Sequence, residues 1–419
     1  MEYPINLQFN PKQPTVMHID LNSCFATIEQ QANPLLRGKP IAVAAYKSPG
    51  GCILAPSIEA KGFGIKTGMR VKDGKMLYQD LIILEPDPWK YRNVHLSLRK
   101  ILETYTNNVI PKSIDEFVLD LEGFPSMRKG LINVGNEIKQ RIKSEVGDWL
   151  RVSIGIAPNR YLAKTAAGIK KPDGLEVIDI SNHVAVYESL ELNNLCGIKT
   201  NNITRLNKMD IFTVRQFYEA NPKTIQMAFH SVMGYRWFLR LRGWEIDDVE
   251  FARKSYGNSV ALKERLTTPE ELAPVLMNLV EKMSRRMRNA GYKARGVHLS
   301  LLYRDGNHWH KAVTKGTNLF APGDIYKVAY KILLKAPYRI PVHTIAVSCF
   351  NLVTDTNRQL SILELPCRKE NLTDAVDKLT AKWGNFVITP ARMLATKDVV
   401  KDRVAFGGIK ELEEFVLKV

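Results

Sequence analysis

Apolar and polar positions along this chain fall into short strand-like runs separated by helical spacings. Residues 16–21 read Val-Met-His-Ile-Asp-Leu, a buried strand with one carboxylate near its end. Asn22 or Ser23 is then a plausible N-cap for a helix to about Ala32, closed by Asn33-Pro34. Residues 41–44 and 52–55 predict two strands about a Gly50-Gly51 turn, followed by helical 58–61. Helical spacing returns from Trp89 to about Tyr105, and residues 109–110 and 117–119 are apolar and strand-like. Leu131, Val134, Ile138 and Ile142 predict a helix over 131–146. A strand at 152–157, a helix from Arg160 to Ala167 and a strand at 175–178 complete the set. Strand, insertion, helix, two strands, helix, strand is the order of a split βαβ unit.

The second half opens with helical 181–248, in which Leu195-Cys196-Gly197-Ile198-Lys199 forms a tight connection. A helix–hairpin–helix there would offer backbone N–H groups to a phosphate; a plain helix connection is the alternative. Thr268-Pro269-Glu270-Glu271 carries a capping box with Pro at the first helical position. The helix it starts buries Leu272, Leu276, Leu279, Met283 and Met287 and ends at Ala290-Gly291. Val297, Leu299, Leu301 and Tyr303 alternate with polar residues as a one-face-buried strand does. A helix at about 325–335 and a strand at 345–353 follow, then a polar linker at 354–358. Beyond it the pattern places one amphipathic helix, 372–383, and leaves the tail without an assignment.

Composition adds a partner and a compartment. Apolar residues are 45% and charged residues 25%, so the chain is globular. The formal net charge is +17. Residues 254–355 alone hold 16 Lys/Arg against 7 Asp/Glu. A basic domain points to a polyanion, nucleic acid being the commonest; an idle basic surface is the alternative. Five scattered cysteines without a Cys-x-x-Cys argue for a reducing cytosol and against zinc and disulfides. No signal peptide or membrane-spanning run is seen, so a cytoplasmic protein without a membrane partner is expected.

The chemistry rests on Ser113-Ile114-Asp115-Glu116-Phe117-Val118-Leu119. Two adjacent acids among strand residues need a reason, because Asp and Glu are poor strand formers. A turn after Pro111 and Lys112 is one reason. The other is Asp20: two strands that set three acids side by side make a site for Mg²⁺, which takes oxygen ligands. Two such ions clamp the attacking and leaving oxygens of a phosphoryl displacement.

With those pieces placed, the chain resembles a Y-family (translesion) DNA polymerase over roughly residues 14–355. The resemblance rests on His18-Ile19-Asp20-Leu21-Asn22-Ser23-Cys24-Phe25, Ser113-Ile114-Asp115-Glu116, Ser153-Ile154-Gly155-Ile156-Ala157-Pro158-Asn159 and Lys171-Pro172-Asp173-Gly174, in the family's order. It implies an α+β right hand: palm at 14–24 and 87–180, fingers at 25–86, thumb at 181–248, little finger at 254–355, and a tail at 356–419. It implies Asp20, Asp115 and Glu116 as ligands of two Mg²⁺ ions, joined by the Leu21 carbonyl. Phe25 matches the ring that excludes a ribose 2′-OH, although ordinary core packing also explains it. Lys171 matches a ligand of the incoming dNTP. Where DinB-like members carry Tyr and Arg, this chain has Ile58 and Lys61, closer to the UmuC-like branch; Lys61 brings charge without a bidentate fork.

DNA contacts are expected from Gly197, Lys199, Arg285, Arg286, Arg288 and Arg295 on a primer–template. Lys199 stands where the hairpin motif prefers Gly. Gln359-Leu360-Ser361-Ile362-Leu363 resembles a sliding-clamp peptide carried on Gln359, Leu360, Ile362 and Leu363; a strand start is the alternative. SOS accessory proteins are further expected partners. The implied activity is template-directed, low-fidelity DNA synthesis. The rivals are a non-catalytic DNA-binding accessory subunit, favoured by loss of a carboxylate, and a palm-fold nucleotidyl cyclase, which needs no basic unit.

Overall fold

The computed structural model describes residues 7–249, 252–337, 340–354, 366–384 and 387–393. The chain divides into two compact units at Val249/Glu250. The first is built on a five-stranded sheet from β1 (Val16–Leu21), β5 (Val109–Pro111), β6 (Glu116–Asp120), β7 (Val152–Ala157) and β8 (Leu175–Val177), in the order β5-β6-β1-β7-β8. β1 lies at the centre, antiparallel to both β6 and β7. Strand alternation sends Met17, Ile19 and Leu21 into one core with Phe117, Leu119 and Ile154. Three helices close that face: α1 (Cys24–Ala32), α4 (Pro88–Leu102) and α5 (Leu131–Arg141), through Ile28, Leu98 and Ile138.

The opposite face takes α6 (Arg160–Ile169). A Cβ on Gly155 would sit 2.0 Å from the Ala163 carbonyl oxygen, so only glycine lets α6 lie this close to β7. Asn159 caps α6 by accepting from Leu162 N–H at 2.8 Å, and its amide donates to the Arg240 and Trp244 carbonyls at 3.0 Å each. One short motif thus seats the helix and ties it to the helical segment that follows.

The insertion between β1 and α4 carries β2 (Ile41–Ala44), β3 (Ile53–Pro56), α2 (Ile58–Gly62), α3 (Val71–Leu77) and β4 (Ile82–Leu84). β2 is central, antiparallel to β3 and parallel to β4. The sequence pattern does not mark β4. The N-cap of α1 is Ser23, one of the two expected positions, with φ 50° and no side-chain cap bond. α1 packs in the sheet's core through Phe25 and Ile28 and also against the insertion, where Gln30 donates to the Lys39 carbonyl at 3.2 Å and to Glu59 at 3.0 Å.

Helices α7 (His183–Ser189), α8 (Thr200–Asn207), α9 (Val214–Glu219), α10 (Pro222–Phe229) and α11 (Met233–Leu241) finish the first unit. The second unit has β9 (Ser255–Ala261), α12 (Pro269–Asn289), β10 (Tyr292–Tyr303), β11 (His308–Leu319), α13 (Pro322–Leu333), β12 (Val342–Thr354) and α14 (Pro366–Trp383). Its sheet runs β11-β10-β12-β9, all antiparallel, with α12 and α13 on one face. The capping box at Thr268 and Glu271 forms as expected. β9 and β11 are findings; only the spacing of buried residues in β10 and β12 is strong enough to read. Residues beyond 355 are not a free tail throughout: Met393 is fully buried in this unit's core, and Lys293 pairs with Glu370 at 2.8 Å.

Candidate active site

The register of β1 and β6 sets Asp20 directly opposite Glu116. Like charges in that position destabilise a ladder by up to about 1 kcal/mol. Asp115 adjoins them, its carbonyl accepting from Leu21 N–H at 2.9 Å. That contact sets Leu21 beside Asp115. Burial, against the help of a 2.5 Å hydrogen bond from Ser113 Oγ, pushes the Asp115 carboxyl up, and Asp20 adds to the shift. Burial likewise raises Glu116, against the pull of Lys164.

Two lysines answer this concentration of acid. Lys164 Nζ, from α6, lies 2.8 and 2.6 Å from the two Glu116 oxygens. Lys171 Nζ lies 2.6 Å from Asp20 Oδ2. Lys61, on α2, belongs to the same neighbourhood: crowding by protein and then the Lys171 charge lower its pKa, while Asp20 opposes. Under α6 lies His18, on the same face of β1 as Asp20. Both ring nitrogens lack a hydrogen-bond partner, and burial, then Lys164, Lys171 and Lys112, push its pKa down to about 3. His18 is therefore neutral, and its 3.9 Å approach to Glu116 is not an ion pair.

Ligand atoms of His18, Asp20 and Glu116 lie within 4.8 Å of one another. Asp115 is not in that group; its carboxylate accepts from Ser113 Oγ. The oxygen donors fit a hard divalent cation such as Mg²⁺. The imidazole fits one poorly. Lys164 and Lys171 hold positive charge where that cation's charge would act.

Asn22 organises the lysine's loop, and sequence reading missed it beyond its candidacy as a cap. Its Oδ1 accepts from Ser153 Oγ at 3.1 Å on β7 and from Asp173 N–H at 2.8 Å. Asp173, at φ 61°, is held by Lys139 at 3.2 Å and Lys143 at 2.9 Å. Lys171, two residues before it, is thereby aimed at Asp20. Lys164 was also missed, since a lysine on a helix carries no sequence signal for a carboxylate partner 48 residues away. Phe25 is buried and stacks on Tyr91 of α4, with centroids 4.3 Å apart and planes 11° apart. Tyr91 Oη donates to Glu29 at 2.9 Å, and Lys90 pairs with Glu29 at 2.6 Å. Core packing and a role as a sugar-facing ring are both compatible with that stack.

The expected DNA contacts divide. Gly197 turns the α8 approach at φ 86°, and its carbonyl accepts from Asn202 at 2.9 Å. Lys199 is exposed and donates to the Asn193 carbonyl at 3.2 Å. Arg295 is exposed, with Nε on Asn318 at 2.9 Å. Arg285 lines a groove between α12 and α14. Arg286 reaches the Gly257 carbonyl at 2.6 Å. Arg288 is corrected: it holds Asp377 in a bidentate pair at 2.7 and 2.8 Å and donates to the Phe320 carbonyl at 2.9 Å, so it fastens α14 instead of facing a polyanion. Gln359, Leu360, Ile362 and Leu363 lie outside the described residues.

Two family models match the chain: the impB/mucB/samB family over residues 19–168 and the impB/mucB/samB family C-terminal domain over 253–362. Among curated proteins, DNA polymerase IV of Moorella thermoacetica is 32% identical over 94% of this chain and 98% of its own. DNA polymerase IV of Pelotomaculum thermopropionicum is 30% identical over 93% and 97%. A solved Y-family DNA polymerase chimera, Dbh-Dpo4(243-245)-Dbh, superposes with a TM-score of 0.71 at 22% identity, over 81% of this chain and 99% of that one. The insertion ternary complex of Dbh DNA polymerase gives 0.57 over the same shares. No helix among the described residues is long and apolar enough to cross a membrane.

Proposed function

The chain belongs to the impB/mucB/samB family of Y-family DNA polymerases, and from that premise we propose that it extends a primer by template-directed addition of deoxynucleotides, across damaged template in particular. The observation that carries this reading is the β1–β6 register, which opposes Asp20 to Glu116, sets Asp115 beside them and draws two lysines onto the acids.

Asp20, Asp115 and Glu116 would hold two Mg²⁺ ions, with the Leu21 carbonyl as a further ligand. When bound, such ions lower the pKa of a primer 3′-OH and neutralise the leaving pyrophosphate. The protein's own groups position the reactants. Lys171 and Lys61 supply cationic charge for the triphosphate. Lys164 keeps Glu116 ionised against the burial that would protonate it. Phe25, backed by Tyr91, stands as the ring against the sugar's 2′ edge. Gly197, Lys199, Arg285, Arg286 and Arg295 would meet DNA backbone, whose contacts fix register without reading sequence.

The curated relatives compared above are named DNA polymerase IV. We therefore confine the UmuC-like character to Ile58 and Lys61, where it would loosen the grip on phosphate. Clamp binding through 359–363 and dependence on SOS accessory proteins rest on sequence pattern alone. A non-catalytic accessory subunit is disfavoured because all three carboxylates are present. Primer extension by the purified chain with Mg²⁺ tests the reading. Wild type should extend a primer and Asp115→Ala should not while still binding DNA; extension by Asp115→Ala equal to wild type refutes it.

A further inference from the structure

The second unit carries another set of ligand-type side chains, away from any carboxylate. On β10, Val297, Leu299 and Leu301 are buried in the core, so His298, Ser300 and Leu302 occupy the other face of the sheet. β11 pairs with β10 so that Ser300 faces His310 and Leu302 faces His308. Trp309 packs toward the core, which leaves His308 and His310 on the face of His298. His298 and His310 meet there, and His308 stands beside His310 on the same face. His298 Nε2 lies 3.3 Å from His310 Nδ1. The His308 ring runs parallel to that of His310, with centroids 6.2 Å apart and planes 3° apart.

Two neutral imidazoles at this distance can share one hydrogen bond. The same distance is the edge of a tetrahedron around a metal, since nitrogens bound at about 2.0–2.1 Å to zinc stand about 3.3 Å from each other. We propose that His298 and His310, with His308 as the third ligand, form a binding site for a borderline transition ion, Zn²⁺ or Cu²⁺, distinct from the carboxylate centre.

Donor type selects the ion. Imidazole suits zinc and copper, whereas magnesium and calcium require oxygen. The facing positions along the two strands, Ser300, Leu302, Ala312 and Thr314, bring no carboxylate to that face. His308 would have to rotate its side chain to join that pair; residues i and i+2 of a strand present their side chains to the same side, so the rotation needs no change of backbone. The domain is cationic, so attraction comes from ligation and not from the field.

The test uses the full chain, stripped with chelator, with excess Mg²⁺ present to occupy the carboxylates. Zn²⁺ is titrated in competition with a chromophoric chelator, and Cu²⁺ is followed by the nitrogen splitting in its electron paramagnetic resonance spectrum. Wild type should bind one equivalent of Zn²⁺ about tenfold or more tighter than His298→Gln/His310→Gln. Its Cu²⁺ spectrum should show three nitrogens, reduced by one in His308→Gln. Equal Zn²⁺ affinity in wild type and the double variant overturns the proposal, as does a nitrogen pattern the double variant leaves unchanged. An unaltered pattern in His308→Gln overturns the three-ligand form. Thermal melts of the variants confirm that each is folded.

Discussion

Asn22→Ala tests how the site is held together. The wild-type amide oxygen receives two donors from elements far apart in sequence, the Ser153 hydroxyl at 3.1 Å and the Asp173 N–H at 2.8 Å. Ser153 is fully buried and Asn22 is 4% exposed, so water does not readily replace the lost partner. A buried donor left unpaired costs about 1–3 kcal/mol. The two together set an expected loss of about 2–6 kcal/mol in urea or thermal unfolding. Function should suffer at one step above others. Freed from Asn22, the turn at Asp173 no longer fixes Lys171, so the KM for dNTP should rise about tenfold, the equivalent of about 1.4 kcal/mol of binding. Asn22→Asp separates hydrogen bonding from charge. It restores both acceptor contacts and so most of the stability, but places another carboxylate beside Asp20 and should still impair incorporation. An Asn22→Ala protein with wild-type stability and wild-type KM for dNTP would refute the reasoning, since the amide would then be a bystander.

Three further expectations follow from contacts already described. Phe25→Ala should admit ribonucleotides, and Tyr91→Leu, which removes the stacked ring beneath it, should do so to a smaller degree; unchanged dNTP/rNTP discrimination in both would assign Phe25 to the core alone. Lys164→Met leaves Glu116 half-buried without its cation, so Glu116 should protonate at higher pH and the acid limb of the activity profile should move upward; a superimposable profile would contradict the pairing. His95, buried with Nδ1 2.8 Å from the Ile114 carbonyl, has its pKa lowered to about 4 by burial. A lowered histidine pKa means the unfolded chain takes up the proton first, so stability is complete above about pH 6.5 and is lost as pH falls toward 4, by about 3 kcal/mol in all. The difference between wild type and His95→Gln in urea melts across that window measures it, and a pH-independent difference would argue against a neutral His95.

Much of the first unit's five-stranded sheet could be read from sequence because its signals are local. Residues 16–21 and 152–157 are short, mostly apolar runs, and each is a strand with those limits. The Thr268 capping box fixes the start of α12 for the same reason. What escaped depends on partners distant in the chain. β4 has only three residues and exists by pairing with β2. β11 is largely exposed and polar, so its pattern lacks a buried face. Arg288 reads as a polyanion contact from its run of arginines, but tertiary packing gives it Asp377, 89 residues away. The acids of the candidate site were legible because carboxylates in strands contradict propensity. Lys164, Asn22 and His18 were not, since lysine on a helix, asparagine after a strand and histidine in a strand contradict nothing. Their significance appears only when Gly155 brings α6 down onto the sheet.

On the proposed reading, Asp20, Asp115 and Glu116 together bind divalent cations against a nucleotide's phosphates. Manganese, visible by electron paramagnetic resonance, reports it directly. With primer–template and a non-hydrolysable dNTP present, the wild-type chain should remove close to two Mn²⁺ from solution per molecule, and Asp20→Asn/Asp115→Asn should lose that binding while its unfolding curve remains cooperative. Equal Mn²⁺ uptake by the wild type and the double variant would contradict the account.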